Sequence, residues 1–148
     1  MAIKYNRLKF LLPVLLPAFL LINSRCKKEN DSIPNVSVDL YIYLSQPSSI
    51  NLNSVGGWIY SDGGVKGLII YRRSNDEFAA YERACPYDPN EGNASIVVDS
   101  SNIIGVDRNC GSKFNLLDNS ILNGPTTRSL KAYRADYDAA GAVLHVYN

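Results

Sequence analysis

Short runs of alternating apolar and polar residues, separated by turn residues, are the feature of this 148-residue sequence that most restricts its fold. Residues 36–44 place an apolar side chain at every second position, which is typical of a strand with one buried face. Asp62, Gly63 and Gly64 separate two more apolar runs, and Asp-Gly favours a tight turn because Gly adopts a positive φ at little cost. Beyond the N-terminal segment, no stretch has the apolar period of an amphipathic helix. The pattern predicts one all-β domain with a small antiparallel sheet over residues 36–148.

The second half of the chain contains further short runs of the same kind. EFAAYER predicts a strand that runs into Cys85, and ASIVVD and NIIGV predict two more short strands. LKAYRADYD and AVLHVYN predict a closing hairpin across Ala140 and Gly141. The sequence has no internal repeat, and its length suits a single domain.

The first 25 residues have the pattern of an export signal. Lys4, Arg7 and Lys9 give a positive start, and residues 10–22 form an apolar segment that contains two prolines. This segment is too short to cross about 30 Å of hydrocarbon comfortably. We predict a signal peptide over residues 1–25, and the alternative is an uncleaved membrane anchor.

The segment LLINSRC resembles the signal of bacterial lipoproteins, in which a Cys becomes the lipidated first residue of the mature protein. Cys26 takes that position here, although Arg25 precedes it where a small residue is usual. Residues 26–35 are charged, contain Pro34 and lack an apolar period, which is typical of a solvated tether. The resemblance implies a lipoprotein anchored to a membrane of the cell envelope, on its periplasmic or surface side, where cysteines can pair.

The charge of the chain argues against a nucleic-acid partner. Four of the 15 basic residues precede Cys26, so the remaining part carries 11 basic against 14 acidic residues and a net charge of −3. No basic stripe is left to follow a phosphate backbone. The residue pattern does not predict an enzyme either, because there is no Ser/His/Asp set and His145 is the single histidine.

Two cysteine-bearing segments resemble the loops of the Rieske iron–sulfur family. That family carries Cys-x-His in one loop and Cys-x-x-His in the other, usually followed by Gly-Ser and an aromatic residue, and these side chains hold a [2Fe–2S] cluster. DEFAAYERACPYDP resembles the first loop with its hairpin. DRNCGSKFNLLDNSILNGPTTRSL resembles the second loop with the Gly-Pro segment that covers the cluster. The resemblance extends from about Gly67 to Asn148 and implies a Rieske-like fold with two Cys-bearing loops.

Carried over position by position, the family's four ligands become Cys85 and Tyr87 in the first loop and Asp107 and Cys110 in the second. Only Cys85 keeps the family's residue type, and both imidazoles are gone. Asp is a harder oxygen ligand than these clusters use, and the reference pKa of Tyr is about 10, so that Tyr must lose a proton it normally keeps. We therefore expect no cofactor, and the alternative is a [2Fe–2S] cluster with atypical ligands.

The family's two loops meet at the cluster, so the resemblance implies that Cys85 and Cys110 are neighbours. In an oxidising compartment such a pair can form a disulfide, which closes a loop of about 25 residues and stabilises by roughly 3–4 kcal/mol in the chain-entropy model. Free thiols or a bound metal are the alternatives. The resemblance also places Ser112, Gly124 and Pro125 around the cluster position.

Together these observations predict an exported, membrane-anchored, non-enzymatic Rieske-like protein whose cluster is replaced by a disulfide. It would be a structural or binding module with a protein partner that the sequence does not identify. The alternative function is electron transfer by an atypical [2Fe–2S] cluster.

Overall fold

The computed structural model describes residues 32–90, 92 and 95–148. A 3₁₀ helix, Pro47–Asn53, follows the first strand. The ten strands in these residues are β1 (Asp39–Tyr43), β2 (Trp58–Ser61), β3 (Leu68–Arg72), β4 (Phe78–Glu82), β5 (Ile96–Val98), β6 (Ile104–Asp107), β7 (Lys113–Asn115), β8 (Ile121–Asn123), β9 (Ala132–Asp138) and β10 (Val143–Tyr147).

The strands form two antiparallel sheets. The large sheet has six strands in the order β1-β10-β9-β4-β3-β2, and the small sheet has four in the order β5-β6-β7-β8. In the large sheet, β4 lies beside β9, with Ala80 opposite Tyr133. The predicted all-β antiparallel fold is confirmed.

The predicted turn at Asp62 connects β2 and β3, which pair from Trp58 opposite Tyr71 to Ser61 opposite Leu68. Gly64 has φ +62°, and a Cβ there would lie 2.1 Å from Oε2 of Glu82. The turn therefore needs Gly for its conformation and for the close approach of a buried carboxylate.

Strands β3 and β4 are buried on both faces, because each face packs against a different apolar cluster. One face contributes to the first apolar cluster, which comprises Val38, Leu44, Leu52, Leu68, Ile70, Phe78, Ala80, Tyr133, Leu144 and Val146. The other contributes to the second apolar cluster, which comprises Ile69, Tyr71, Ala79, Tyr81, Cys85, Ile96, Phe114, Leu116 and Leu130. The second cluster joins the small sheet to the large one, since Ile96, Phe114 and Leu116 come from the small-sheet segment.

The small sheet is one excursion of the chain between β4 and β9. One contact fixes its position on the large sheet, and another packs its own strands closely together. The Tyr81 hydroxyl donates to the carbonyl of Leu116 at 3.0 Å. A Cβ at Gly105 would lie 2.9 Å from a methyl group of Ile96, so β6 packs closely against its neighbour because Gly lacks that atom. This placement brings the loop after β4 next to the loop between β6 and β7.

The predicted signal peptide, residues 1–25, lies outside the described residues, as do Cys26 and the first part of the predicted tether. The tether's residues 32–35 have no regular secondary structure. Among the described residues, we find no helix with the length and apolar character needed to cross a membrane.

Candidate functional site: two cysteines and a buried aspartate

The two domain cysteines approach each other from separate loops. Cys85 lies three residues after β4 and is fully buried, whereas Cys110 lies between β6 and β7 and is partly buried. Their sulfur atoms are 3.7 Å apart. The structure thus brings together the pair whose proximity the Rieske resemblance implied.

The predicted disulfide is not formed in the structure. A disulfide needs an S–S distance of about 2.05 Å, and 3.7 Å is a non-bonded contact between two thiols. Both residues are free cysteines. The prediction that these two cysteines are neighbours is therefore confirmed. The structure does not show the predicted bond between them.

Asp107, the last residue of β6, places a carboxylate beside the two sulfur atoms. It is 1% exposed, and its Oδ1 accepts a hydrogen bond of 2.8 Å from the backbone N–H of Asn109. Its carbonyl accepts a second backbone bond from Gly111, whose φ is +78°. These bonds form a tight Asx turn, which is a common role for Asp at the start of a loop. Oδ2 is buried and has no hydrogen-bond partner.

One ligand atom each from Cys85, Asp107 and Cys110 lies within 4.8 Å of the other two. Tyr87, the fourth position of the predicted ligand set, is 46% exposed and presents its ring at the surface. Three of the four predicted positions therefore converge. They come from the end of β6 and from the two loops.

Burial raises the pKa of the Cys85 thiol to about 12, and the interaction with Asp107 adds to the rise. Backbone N–H groups of Tyr87 and Asp88 hydrogen-bond with the Cys85 sulfur and act in the opposite direction. At neutral pH, Cys85 is therefore a thiol. For Asp107, burial acts to raise the pKa, but interactions with the Cys85 thiol, the Asn109 N–H and Cys110 hold the pKa below its usual value. The carboxylate is thus ionised.

Ser112 and the Gly124-Pro125 segment lie around the second loop. The Ser112 hydroxyl is fully buried, contacts the Cys110 sulfur at 3.0 Å and accepts the backbone N–H of Thr126 at 3.2 Å. The side chain of Asn123 donates to the carbonyls of Gly111 and Gly124 at 3.0 and 2.9 Å. The segment after β8 is thereby fastened to the cysteine loop.

Sequence reasoning missed three residues that hold these loops: Asn123, Thr126 and Arg128. Arg128 donates to the carbonyl of Pro86, next to Cys85. Their only sequence signal is their position on either side of Gly124-Pro125. Nothing in their residue types indicates which carbonyl or hydroxyl each one contacts.

His145 belongs to another part of the molecule. It lies on β10 opposite Tyr41, its ring stacks on Tyr41 and Tyr147 at centroid distances of 4.3 and 4.5 Å, and Nε2 lies 2.7 Å from Asp39. The imidazole is therefore engaged on the large sheet and contributes nothing to the cysteine site.

A second buried acid, Glu82 at the end of β4, offers a contrast with Asp107. Its carboxylate accepts the backbone N–H groups of Val65, Lys66 and Ala84 at 2.7, 2.9 and 2.9 Å. The Tyr133 hydroxyl donates to it at 2.9 Å. Burial raises the pKa of Tyr133, and the contact with Glu82 raises it further. Both oxygens of Glu82 are occupied by protein donors.

The described residues do not fit a [2Fe–2S] cluster. Such a cluster has two irons held by four thiolate or imidazole ligands. Here the two thiols converge with one carboxylate, and Tyr87 is largely at the surface. Three atoms that surround one point suit a single ion better than a pair of irons.

No model of a known protein family matches the sequence, and no curated protein sequence matches it. One similar solved chain comes from the complex of reduced oxygenase and oxidized ferredoxin in carbazole 1,9a-dioxygenase. It has a TM-score of 0.45 and 20% identity, over 64% of this chain and 82% of that one. Another is a putative NADH-dependent nitrite reductase small subunit from Mycobacterium tuberculosis, with a TM-score of 0.44 and 16% identity, over 77% of this chain and 97% of that one. These likenesses are partial, and the all-β fold is established by the sheet order itself.

Proposed function

We propose that the chain is a non-enzymatic, Rieske-like domain displayed at the cell envelope, in which a thiol pair replaces an iron–sulfur cluster as the link between two loops. Cys85 and Cys110 form a disulfide under oxidising conditions. Cys26 carries the lipid that anchors the domain to the membrane.

The observation that carries this proposal is the contact of 3.7 Å between the two sulfur atoms. The two cysteines are 25 residues apart in sequence and lie in loops from different sheets. A disulfide needs a movement of less than 2 Å from this contact, since the bond length is about 2.05 Å. A small adjustment of the more exposed loop at Cys110 supplies that movement.

Oxidation follows an order set by burial. Cys85 is fully buried, so an external disulfide meets Cys110 first. The Cys110 sulfur attacks it and forms a mixed disulfide, and one external thiol leaves. Cys85 then attacks the Cys110 sulfur and releases the second external thiol. The external disulfide takes up two electrons and two protons in total.

A binding or structural role agrees with the side chains at the site. His145 is stacked on the large sheet, so no imidazole stands beside Cys85 or Cys110 to act as a base. Cys85 is fully buried and its raised pKa keeps it mostly in the unreactive thiol form at neutral pH, so it does not serve as a nucleophile toward an external substrate. Its attack on the mixed disulfide at Cys110 is an intramolecular step across the 3.7 Å contact. The chain after the predicted signal is acidic overall, which disfavours nucleic acid as a partner.

The test is a metal and thiol inventory of the full chain, expressed in a host that exports it and purified in detergent without reductant. We expect no stoichiometric iron or acid-labile sulfide and no Rieske-type paramagnetic signal after reduction. Non-reducing peptide mapping should show one linked pair that contains Cys85 and Cys110. Stoichiometric iron and sulfide would instead establish the electron-transfer alternative.

The anchor is tested separately by intact mass and fractionation. The mature protein should begin at Cys26, carry a lipid and sediment with membranes, and Cys26→Ala should remove both properties. An unmodified Met1 in the mature protein would contradict the anchor and leave the thiol pair unaffected.

A further inference from the structure

The cysteine site contains a buried charged atom that the protein leaves without a partner. Oδ2 of Asp107 is buried and accepts no hydrogen bond, although the other oxygen of the same carboxylate is satisfied by Asn109. Buried carboxylates are ordinarily paired, hydrogen-bonded or coordinated to a metal. Cys85 and Cys110, the neighbours of Asp107, offer only S–H groups, which are weak hydrogen-bond donors.

The spacing of the two sulfur atoms is that of a tetrahedral metal site. Two sulfurs each at about 2.3 Å from a tetrahedral Zn²⁺ lie about 3.8 Å apart. Cys85 and Cys110 are 3.7 Å apart before any ion is added. Asp107 supplies the third metal ligand, since all three ligand atoms lie within 4.8 Å of one another.

The side chains of Cys110 and Asp107 are each held by a hydrogen bond with a neighbouring residue. The Cys110 sulfur contacts the Ser112 hydroxyl at 3.0 Å, and Asn109 holds the free oxygen of Asp107 in place through Oδ1. Such outer partners fix the ligands of metal sites and tune their basicity.

We infer that the reduced Cys85–Cys110 pair and Oδ2 of Asp107 bind a single divalent ion of the zinc class. Two thiolates and one carboxylate are ligands that Zn²⁺ accepts in tetrahedral geometry, whereas Mg²⁺ and Ca²⁺ prefer oxygen alone. Three protein donors leave the fourth position to water, as in open zinc sites. Arg128, bonded to the carbonyl of Pro86, places positive charge at the loop that carries Cys85.

This inference concerns the same thiols as the proposed function and requires their reduced form. Disulfide formation and ion binding exclude each other because both use the two sulfur atoms. An absence of iron and sulfide tests the proposed function, and binding by the reduced protein tests this inference. Either proposal can therefore be contradicted while the other one stands.

The experiment titrates the reduced, anaerobic full chain with Co²⁺, which replaces Zn²⁺ and is visible by absorption. We expect one equivalent to give the strong visible bands of tetrahedral Co²⁺ with thiolate-to-cobalt absorption in the near ultraviolet. Added Zn²⁺ should remove these bands with the same stoichiometry. Oxidised protein, with the pair closed, should give no such bands.

Asp107→Asn is the decisive variant. Asn retains the oxygen that accepts the Asn109 N–H, so the turn survives, and only the anionic ligand is lost. The affinity for Co²⁺ should fall by more than the 10–100-fold range (about one to two decades) that loss of an outer partner causes. Asp138→Asn is the matched control, because Asp138 accepts the Ala140 N–H at 3.0 Å in an equivalent turn of the β9–β10 hairpin.

Binding by the wild type and by Asp138→Asn, with weakened binding by Asp107→Asn, would support the site. Equal affinity in all three proteins would overturn it, since the thiols alone would then account for binding. An absence of tetrahedral bands in the reduced wild type, with its thiols titrated as free, would overturn it as well.

Discussion

The buried carboxylates of Glu82 and Asp107 have the same exposure and opposite hydrogen-bond environments. Glu82 is 0% exposed and Asp107 1%, yet Glu82 accepts three backbone N–H groups and a tyrosine hydroxyl, whereas Asp107 has one oxygen without any partner. A saturated carboxylate holds chain segments together. An unsaturated one, beside two thiols, has coordination capacity left for an ion. Burial alone does not separate these two roles.

Removal of Glu82 should have the largest effect and gives the sharpest test of this comparison. Glu82→Ala leaves three backbone donors and the Tyr133 hydroxyl buried without an acceptor, so we expect a loss of roughly 3–5 kcal/mol in unfolding free energy. Urea denaturation measures it. Glu77→Ala, which removes an exposed ion pair with Arg73, is the matched control and should cost less than about 1 kcal/mol. Equal losses in the two variants would mean that the Glu82 contacts are not structural.

Closure of the disulfide beside Asp107 should have the next largest effect. A bridge between Cys85 and Cys110 should add roughly 3–4 kcal/mol, or on the order of 10 °C in melting temperature. Scanning calorimetry of oxidised and reduced protein measures the difference. Cys110→Ser should melt like the reduced protein whether or not reductant is present. A redox-independent melting temperature in the wild type would show that the thiols do not pair.

Asp107→Asn should have a much smaller effect on the reduced, metal-free protein. The variant removes a buried charge with an unsatisfied oxygen and keeps the turn, so we expect a change within about 1 kcal/mol, with stabilisation as one acceptable outcome. The same denaturation assay gives the value. A loss as large as that of Glu82→Ala would show that Asp107 has structural partners after all and would remove the contrast.

The decline of stability at alkaline pH should distinguish the cysteine site from the Glu82 site. The pKa of Cys85 is raised from 9.0 to about 12 in the folded protein. Between these values the folded state keeps a proton that the unfolded chain loses, so the stability is fully present below pH 9.0 and falls as the pH rises toward 12. The oxidised protein has no such thiol. Its stability should decline only where the tyrosines, Tyr133 among them, begin to titrate in the unfolded chain.

Denaturation at several pH values between about 8 and 11 separates the reduced protein from the oxidised protein. This range begins near the reference pKa of Cys, about 8.5. The reduced protein should lose stability earlier than the oxidised protein. Identical slopes would indicate that Cys85 titrates normally and that its burial is incomplete in solution.

Local patterns predicted the fold well where a strand and its partner are close in sequence. The Asp-Gly turn predicted the β2–β3 hairpin, and the last two apolar runs predicted the β9–β10 hairpin with their turn at Ala140 and Gly141. The alternation over residues 36–44 predicted β1, which begins only at Asp39. The 3₁₀ helix and the three-residue strands β7 and β8 were not predicted, since such short segments show no period.

The site was less predictable because its parts come from distant segments. The Rieske resemblance identified Cys85, Asp107 and Cys110 as neighbours, which residue patterns alone do not indicate. It also placed Tyr87 among them, whereas the structure exposes that ring. The role of Glu82 was missed, because the backbone N–H donors of Val65 and Lys66 become its neighbours only when β3 and β4 pair.

The excursion between β4 and β9 leaves and rejoins the large sheet on adjacent strands. Tyr81 lies opposite Ala132, so the departure and return of this segment are separated by one strand spacing, about 4.8 Å. A segment attached in this way is an insertion whose loops can change without altering the strand order of the large sheet. Because its two ends are adjacent, this segment is a point at which another pair of loops could be grafted onto the large sheet.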